Sequence, residues 1–81
     1  MSKLANGLQA VHYLLVRIRH HSGTGADPQH VTRLLDHADY LMTLLIRGKE
    51  AEFRQYLEDN AAEVPEFHGV LQRFDETPVA V

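Results

Sequence analysis

Six histidines are the residues of this chain with the most versatile chemistry, because a neutral imidazole can bind a metal ion and also titrates near neutral pH. His30 and His37 share one helix face but lie two turns apart, about 10 Å, which is too far for both to bind one ion directly. His20 and His21 stand beside a predicted loop and could meet His30 in space, giving an adventitious site at most. The sequence therefore predicts neither a metal centre nor another cofactor.

The densest group of polar side chains is formed by Asp36, His37 and Asp39, where acid–base catalysis would be sought first. Such catalysis needs a pocket that shifts pKa values, and the four short helices predicted below leave little room for one. The chain also lacks a nucleophile–base arrangement, a glycine-rich phosphate loop and a His-Glu-x-x-His motif. We therefore expect that this protein is not an enzyme.

A locally basic segment, Arg17-Ile18-Arg19-His20-His21, is the feature that would suit nucleic-acid binding. Phosphate binding generally needs a broad basic patch, whereas this chain has a formal net charge of −3. The turn at 22–26 is also longer than the connection in a helix-turn-helix motif, which takes about three or four residues. A small nucleic-acid-binding regulator stays an alternative, but we do not expect nucleic acid to be the partner.

Size and composition favour one domain that is stabilised by association. The chain has 81 residues, 44% of them hydrophobic, and no cysteine, so disulfides and thiolate metal sites cannot stabilise its small core. We expect a single helical domain at 1–76, a flexible tail at 77–81 and a homodimer. No apolar run reaches the length of a membrane span and the first residues do not resemble a signal peptide, so a cytoplasmic location is expected.

Hydrophobic periodicity predicts four helices, at 4–20, 28–47, 49–62 and in a short segment that opens at Pro65. Ser2 and Asp27 are the expected N-caps, and Gly48 is the expected left-handed terminator of the second helix. Short connections predict an all-α fold, in which the first two helices form a hairpin and the two shorter helices pack across it. The residues expected to face the core in the hairpin are Leu4, Leu8, Val11, Leu15, Ile18, Val31, Leu34, Leu35, Ala38, Leu41, Met42 and Leu45.

Several apolar residues fall outside these stripes, and we interpret them as an association surface. With a step of about 100° per residue, Tyr13 and Val16 project away from the first stripe, and Tyr40 and Leu44 away from the second. Charged residues border them, which is typical of a protein–protein interface. The predicted partner or dimer interface consists of Tyr13, Val16, Asp36, Asp39, Tyr40 and Leu44.

The order of motifs resembles that of a known group of proteins. A turn that ends in Asp27-Pro28-Gln29, an Asp39-Tyr40 element in a long second helix, and Pro65 before Phe67 and Leu71 are its features. This organisation is similar to that of small helical immunity proteins of interbacterial toxin systems, which dimerise and neutralise a toxin by binding it. Phage-encoded inhibitors of host proteins share the same size and helical style.

The resemblance implies a protein that binds and inhibits or masks a partner, either a toxin or a host protein. Together with the absence of catalytic motifs, it leads us to expect a non-catalytic protein–protein interaction module. A purely structural homodimeric helical protein is the other alternative.

Overall fold

The computed structural model describes residues 3–76, which form four α-helices and no strand within that range. The helices are α1 (Leu4–Gly23), α2 (Pro28–Ile46), α3 (Glu50–Asn60) and α4 (Glu66–Asp75). The all-α prediction is thereby confirmed, while the predicted cap at Ser2 and the predicted tail at 77–81 lie outside the described residues. None of the helices in this range has the length and hydrophobicity needed to cross a membrane.

Local sequence signals set the ends of α2. The carboxylate of Asp27 accepts a hydrogen bond of 3.0 Å from the backbone N–H of Gln29, and Pro28 opens the helix where no amide donor is needed. Gly48 follows the helix with a φ of +70°, a left-handed conformation that costs glycine little. Both the predicted cap and the predicted terminator are therefore confirmed.

The ends of α1 and α3 differ from the prediction. Helix α1 continues through Gly23, past the expected end at His20, and the chain reverses only at Gly25, where φ is +79°. The turn is closed by the backbone N–H of Ala26, which donates to the carbonyl of His21 at 3.0 Å. Helix α3 ends at Asn60, and a tight turn leads from there to Pro65.

Helices α1 and α2 form the predicted hairpin, and α3 and α4 pack on one side of it. The contact between α1 and α4 is the most extensive in the bundle, and α3 bridges α2 and α4. Apolar residues from all four helices meet in one core. The largest side chains that are fully buried are Phe53, Phe67, Leu14, Leu34, Leu41, Leu57, Val11 and Val70.

The predicted core side of α1 is confirmed at Val11 and Ile18 but wrong at its three leucines. Leu4, Leu8 and Leu15, which were expected in the core, are exposed, whereas Ala10 and Leu14 are buried. The prediction followed spacings of three and four residues, but α4 packs on another side of α1, where Asn6 binds the end of α4 and Tyr13 lies against Gly69.

Helix α2 is rotated in a corresponding way. Leu35 was expected in the core and is exposed, whereas Leu44 was expected on the outer side and is 4% exposed. Leu34, Ala38, Leu41 and Leu45 are buried as predicted. The hairpin therefore presents part of its predicted core stripe to the outside.

The beginning of α1 is fastened to the end of α4 through a buried amide. Asn6 donates hydrogen bonds to the backbone carbonyls of Phe74, at 2.9 Å, and Glu76, at 2.6 Å. The Nζ of Lys3 also donates to the Phe74 carbonyl, at 3.2 Å. Carbonyls in the last turn of a helix receive no hydrogen bond from within the helix. The contacts from Asn6 and Lys3 supply donors to these carbonyls, which would otherwise need a water molecule.

Gly7 allows α1 and α2 to approach closely, and its replacement is our first prediction. A β-carbon at Gly7 would overlap the buried side chain of Leu45. We expect Gly7→Val to lower the free energy of unfolding by about 1–3 kcal/mol, because overpacking displaces core side chains. Urea unfolding followed by circular dichroism measures this change.

Gly23→Val on the same helix is the matched control. Nothing lies within 4 Å of a β-carbon at Gly23, so this variant should unfold close to the wild type. Equal stability of the Gly7 and Gly23 variants would contradict the close approach of α1 and α2.

Candidate functional site

Three polar side chains from three helices converge at the end of the bundle where α1 turns into α2. His21 lies near the end of α1, His30 in the first turn of α2, and Glu66 is the first residue of α4. Oε2 of Glu66 is 2.9 Å from Nε2 of His30 and 3.1 Å from Nε2 of His21. Each of the three side chains offers one possible metal-binding atom, and these atoms all lie within 4.8 Å of one another. Among the described residues, this is the group of three or more side chains that meets that limit.

The carboxylate of this cluster is shielded from water, whereas the two histidines are partly exposed, with His21 at 23% and His30 at 41%. The Glu66 side chain is only 8% exposed. Burial by itself raises the pKa of Glu66, but the hydrogen bond from His30 and the nearby histidines outweigh it, so the pKa is lowered overall. Nε2 of His21 is buried and has no hydrogen bond, although it lies close to the carboxylate.

A cleft of about 410 Å³ opens beside the cluster and is also lined by Tyr13, Arg17 and Pro65. Two imidazole nitrogens and one carboxylate oxygen are ligand atoms that suit a divalent transition metal. The sequence suggested that His21 could meet His30, but Glu66 was missed. Its approach depends on where α4 packs, and neither periodicity nor spacing specifies that.

A second feature lies on the side of the hairpin that faces away from α3 and α4. Leu15 and Leu35 are exposed there, and with half-buried Met42 they line an apolar groove of about 280 Å³. The groove has buried Val11 and Ala38 as its floor, and Asp39 lies at its edge. Leu8, also exposed, lies seven residues before Leu15 and hence on the same side of α1. We call this surface, made by Leu8, Leu15, Leu35 and Met42, the outer face.

Two of the predicted interface residues lie on the side of α1 next to α4. Tyr13 is half-buried against Gly69, and the guanidinium of Arg73 stacks over its ring at 4.6 Å from the centroid. Val16 is 49% exposed and lines a shallow cleft with His12 and Arg73. A half-buried tyrosine and an exposed valine thus border the seam between α1 and α4.

The other predicted interface residues belong to α2. Tyr40 is exposed on one side and packs on Tyr56 of α3, with ring centroids 4.7 Å apart. Asp36 and Asp39 are exposed, but Leu44 is in the core and can present no surface to a partner while the bundle is intact. Tyr13 and Tyr40 therefore cover different seams, and the structure does not bring the six residues into one surface.

His37 belongs to an aromatic cluster under Tyr40. Its Nδ1 shares a hydrogen bond with the hydroxyl of Tyr56, and its ring packs edge-on against Phe67 at 5.1 Å. Burial lowers the pKa of His37 below the ordinary value of 6.5, and the neighbouring carboxylate of Asp36 opposes that shift in part. Burial also raises the pKa of the Tyr56 hydroxyl, which stays a hydrogen-bond donor to a neutral imidazole.

Comparisons with protein-family models, curated proteins and solved structures find no match for this chain. The resemblance to immunity proteins therefore stays a prediction from the order of motifs. The outer face and the His21–His30–Glu66 cluster are the two features from which function can be argued.

The lowered pKa of His37 leads to a prediction about pH. The folded protein holds this imidazole in its neutral form, so its contribution to stability is complete above pH 6.5 and is lost as the pH falls below that value. We expect His37→Gln to make the decrease in unfolding free energy between about pH 7 and pH 5 shallower. Urea titrations at a series of pH values measure the slope.

His12→Gln is the control, since His12 is exposed on α1 and removal of its ring leaves the aromatic cluster intact. If the His37 and His12 variants both kept the wild-type slope, burial of a neutral His37 would not contribute to acid sensitivity.

Proposed function

We propose that this protein is a non-catalytic interaction module that forms a homodimer through the outer face and binds another protein, which it inhibits or masks. The observation that carries the proposal is the row of exposed leucines on the hairpin, Leu8 and Leu15 on α1 and Leu35 on α2. Monomeric proteins rarely leave a contiguous apolar surface of more than a few hundred Å² in water.

The spacing of these residues supports helix–helix association. Leu8 and Leu15 are seven residues apart, as are Leu35 and Met42, with Val11 and Ala38 between them. A repeat of seven keeps an apolar seam turned towards a partner helix over successive turns. Full burial of a leucine side chain contributes roughly 1.5–3 kcal/mol. Burial of the exposed part of several leucines in a dimer would therefore add appreciably to the free energy of unfolding.

The dimensions of the outer face suit a second copy of the chain. Helices of 20 and 19 residues are each about 30 Å long, and two of them side by side present a face about 20 Å wide. This amounts to about 600 Å² per copy, slightly less than the roughly 800 Å² per partner of a standard protein–protein interface.

Charge at the edges of the outer face also favours a second copy. His12 and Arg19 flank the apolar stripe on α1, whereas Asp39 flanks the stripe on α2. A two-fold axis parallel to the helices would place α1 of one copy against α2 of the other, so that the basic flank meets the acidic flank twice. The combined unit would be a bundle with the two hairpins in its centre.

A foreign protein would then bind to surfaces that the dimer leaves accessible. Tyr40 is an exposed aromatic ring already held in place by Tyr56, and aromatic anchors of this kind often dominate protein–protein affinity. Asp36 lies one turn before Tyr40 and would add electrostatic selectivity. Tyr13 and Val16 offer a second apolar patch next to α4. The resemblance to immunity proteins supports a toxin or a host protein as the partner.

The dimer is tested by two neighbouring substitutions. Leu15 and Val16 are 42% and 49% exposed, but Leu15 lies on the outer face and Val16 does not. We expect Leu15→Glu to convert a dimer into a monomer, because two carboxylates would be desolvated in the apolar seam. We expect Val16→Glu to leave the dimer intact. Sedimentation equilibrium gives the mass of each variant, and circular dichroism checks that each is folded.

A wild-type protein that sediments as a monomer at all concentrations would refute the proposed dimer. Dissociation by Val16→Glu together with an intact Leu15→Glu dimer would move the self-association surface to the seam between α1 and α4.

Binding of a foreign protein is tested with Tyr40→Ala. The tagged chain is used to isolate bound proteins from cells of its source, and the affinity of the recovered partner is then measured with purified proteins. Loss of a buried interface tyrosine costs about 2 kcal/mol or more, so we expect affinity to fall at least about 30-fold. Leu35→Ala is the comparison for the outer face. Unchanged affinity of the Tyr40 variant would exclude this surface as the binding site.

A further inference from the structure

We propose that His21, His30 and Glu66 form a binding site for one divalent transition-metal ion of the Zn²⁺ class, with Nε2 of each histidine and Oε2 of the glutamate as ligands. This inference does not depend on the proposed homodimer or on a foreign partner. It follows from the geometry, the burial and the unpaired nitrogen of the cluster described above.

The separations of the ligand atoms are close to those of a zinc site. Tetrahedral coordination with zinc–nitrogen and zinc–oxygen distances of about 2.0–2.1 Å requires ligand atoms about 3.3 Å apart. Oε2 of Glu66 lies 2.9 Å from Nε2 of His30 and 3.1 Å from Nε2 of His21. One ligand atom from each of the three residues lies within 4.8 Å of the other two, so the carboxylate oxygen would move outward by a few tenths of an ångström and the rings would turn to admit an ion.

The unpaired nitrogen distinguishes this cluster from an ordinary ion pair. His30 and Glu66 form a hydrogen bond of 2.9 Å, which leaves further acceptor positions on the carboxylate. Nε2 of His21 lies 3.1 Å from the same carboxylate but makes no hydrogen bond to it, so the cluster supplies this buried polar atom only with proximity to the carboxylate. A metal ion at the centre of the cluster would engage that nitrogen and both other ligands together.

Three protein ligands leave one position of a tetrahedral site for a further group. The cleft lined by Tyr13, Arg17 and Pro65 opens at this point, so a water molecule can complete the coordination. Sites closed by four protein ligands are typical of structural zinc, whereas three protein ligands and a water leave one coordination position open to an added ligand. Because the ligands come from α1, α2 and α4, the ion would also connect the end of the hairpin to the last helix.

Zinc binding to the untagged protein is measured by competition with a chromophoric chelator. We expect one ion per chain, and we expect Co²⁺ in its place to give the intense visible absorption of a tetrahedral nitrogen and oxygen site. His30→Gln and Glu66→Gln each remove one ligand with little change in shape or burial. Since loss of even a group that only supports a ligand weakens metal binding by about 10–100-fold, we expect each variant to bind about 100-fold more weakly.

His20→Gln is the matched control. His20 neighbours His21 in the sequence, and its ring is 6.2 Å from that of His21, but it does not belong to the ligand group. This variant should bind Zn²⁺ as tightly as the wild type. Circular dichroism confirms that each variant is folded, and the Co²⁺ spectrum of the wild type tests the site without any substitution.

Two results would overturn the proposal. One is binding of Zn²⁺ to the wild type that is no tighter than to a His30→Gln/Glu66→Gln double variant, which would mean only adventitious binding by surface histidines. The other is a Co²⁺ spectrum that is the same for the wild type and for this double variant, which would show that the ion does not use these ligands.

Discussion

The packing of α4 on α1 is the contact on which the rest of this structure depends. It is the most extensive contact between helices, and it uses the side of α1 that carries Asn6 and Tyr13. Ala10 is buried in the core, and Gly69 of α4 leaves space for the ring of Tyr13. Once α4 has taken this side, Leu8 and Leu15 must point the other way.

The same contact assembles the polar cluster. Asn6 holds the last turn of α4 against the first turn of α1, so the two helices run in opposite directions along each other. The first turn of α4 is thereby placed at the far end of α1, beside the loop to α2. Glu66 complements the positive end of its own helix dipole there, and it meets His21 and His30. One packing choice thus produces both an apolar outer face and a group of three metal-binding side chains.

The sequence predicted those parts of the fold that depend on neighbouring residues. The Asp27-Pro28 start and the Gly48 end of α2 are local capping effects, and both are confirmed. In the two short helices, buried residues lie four or seven positions apart, which places each pair on one helix side: Phe53 with Leu57, and Phe67 with Phe74.

The two long helices were different, because each has apolar residues on two sides. Periodicity alone cannot decide which of these sides the short helices will cover. It selected Leu15 and Leu35 for the core and placed Leu44 outside, and the structure reverses all three. Glu66 was missed for the same reason, since its meeting with His21 depends on the position of α4.

The proposed dimer interface and the proposed metal site both bear on the stability of a small helical bundle. A chain of 81 residues without cysteine has a small core and no covalent cross-link, so its stability depends strongly on anything that binds only the folded state. The outer face lies on the side of α1 away from α4, whereas the cluster lies where α1, α2 and α4 meet. A metal ion in the cluster would hold the two helices of the hairpin at their connected end, and a rigid hairpin presents its leucines in fixed register. Both the proposed ion and the proposed second copy would bind only the folded bundle, so each would add to its stability without sharing a residue with the other.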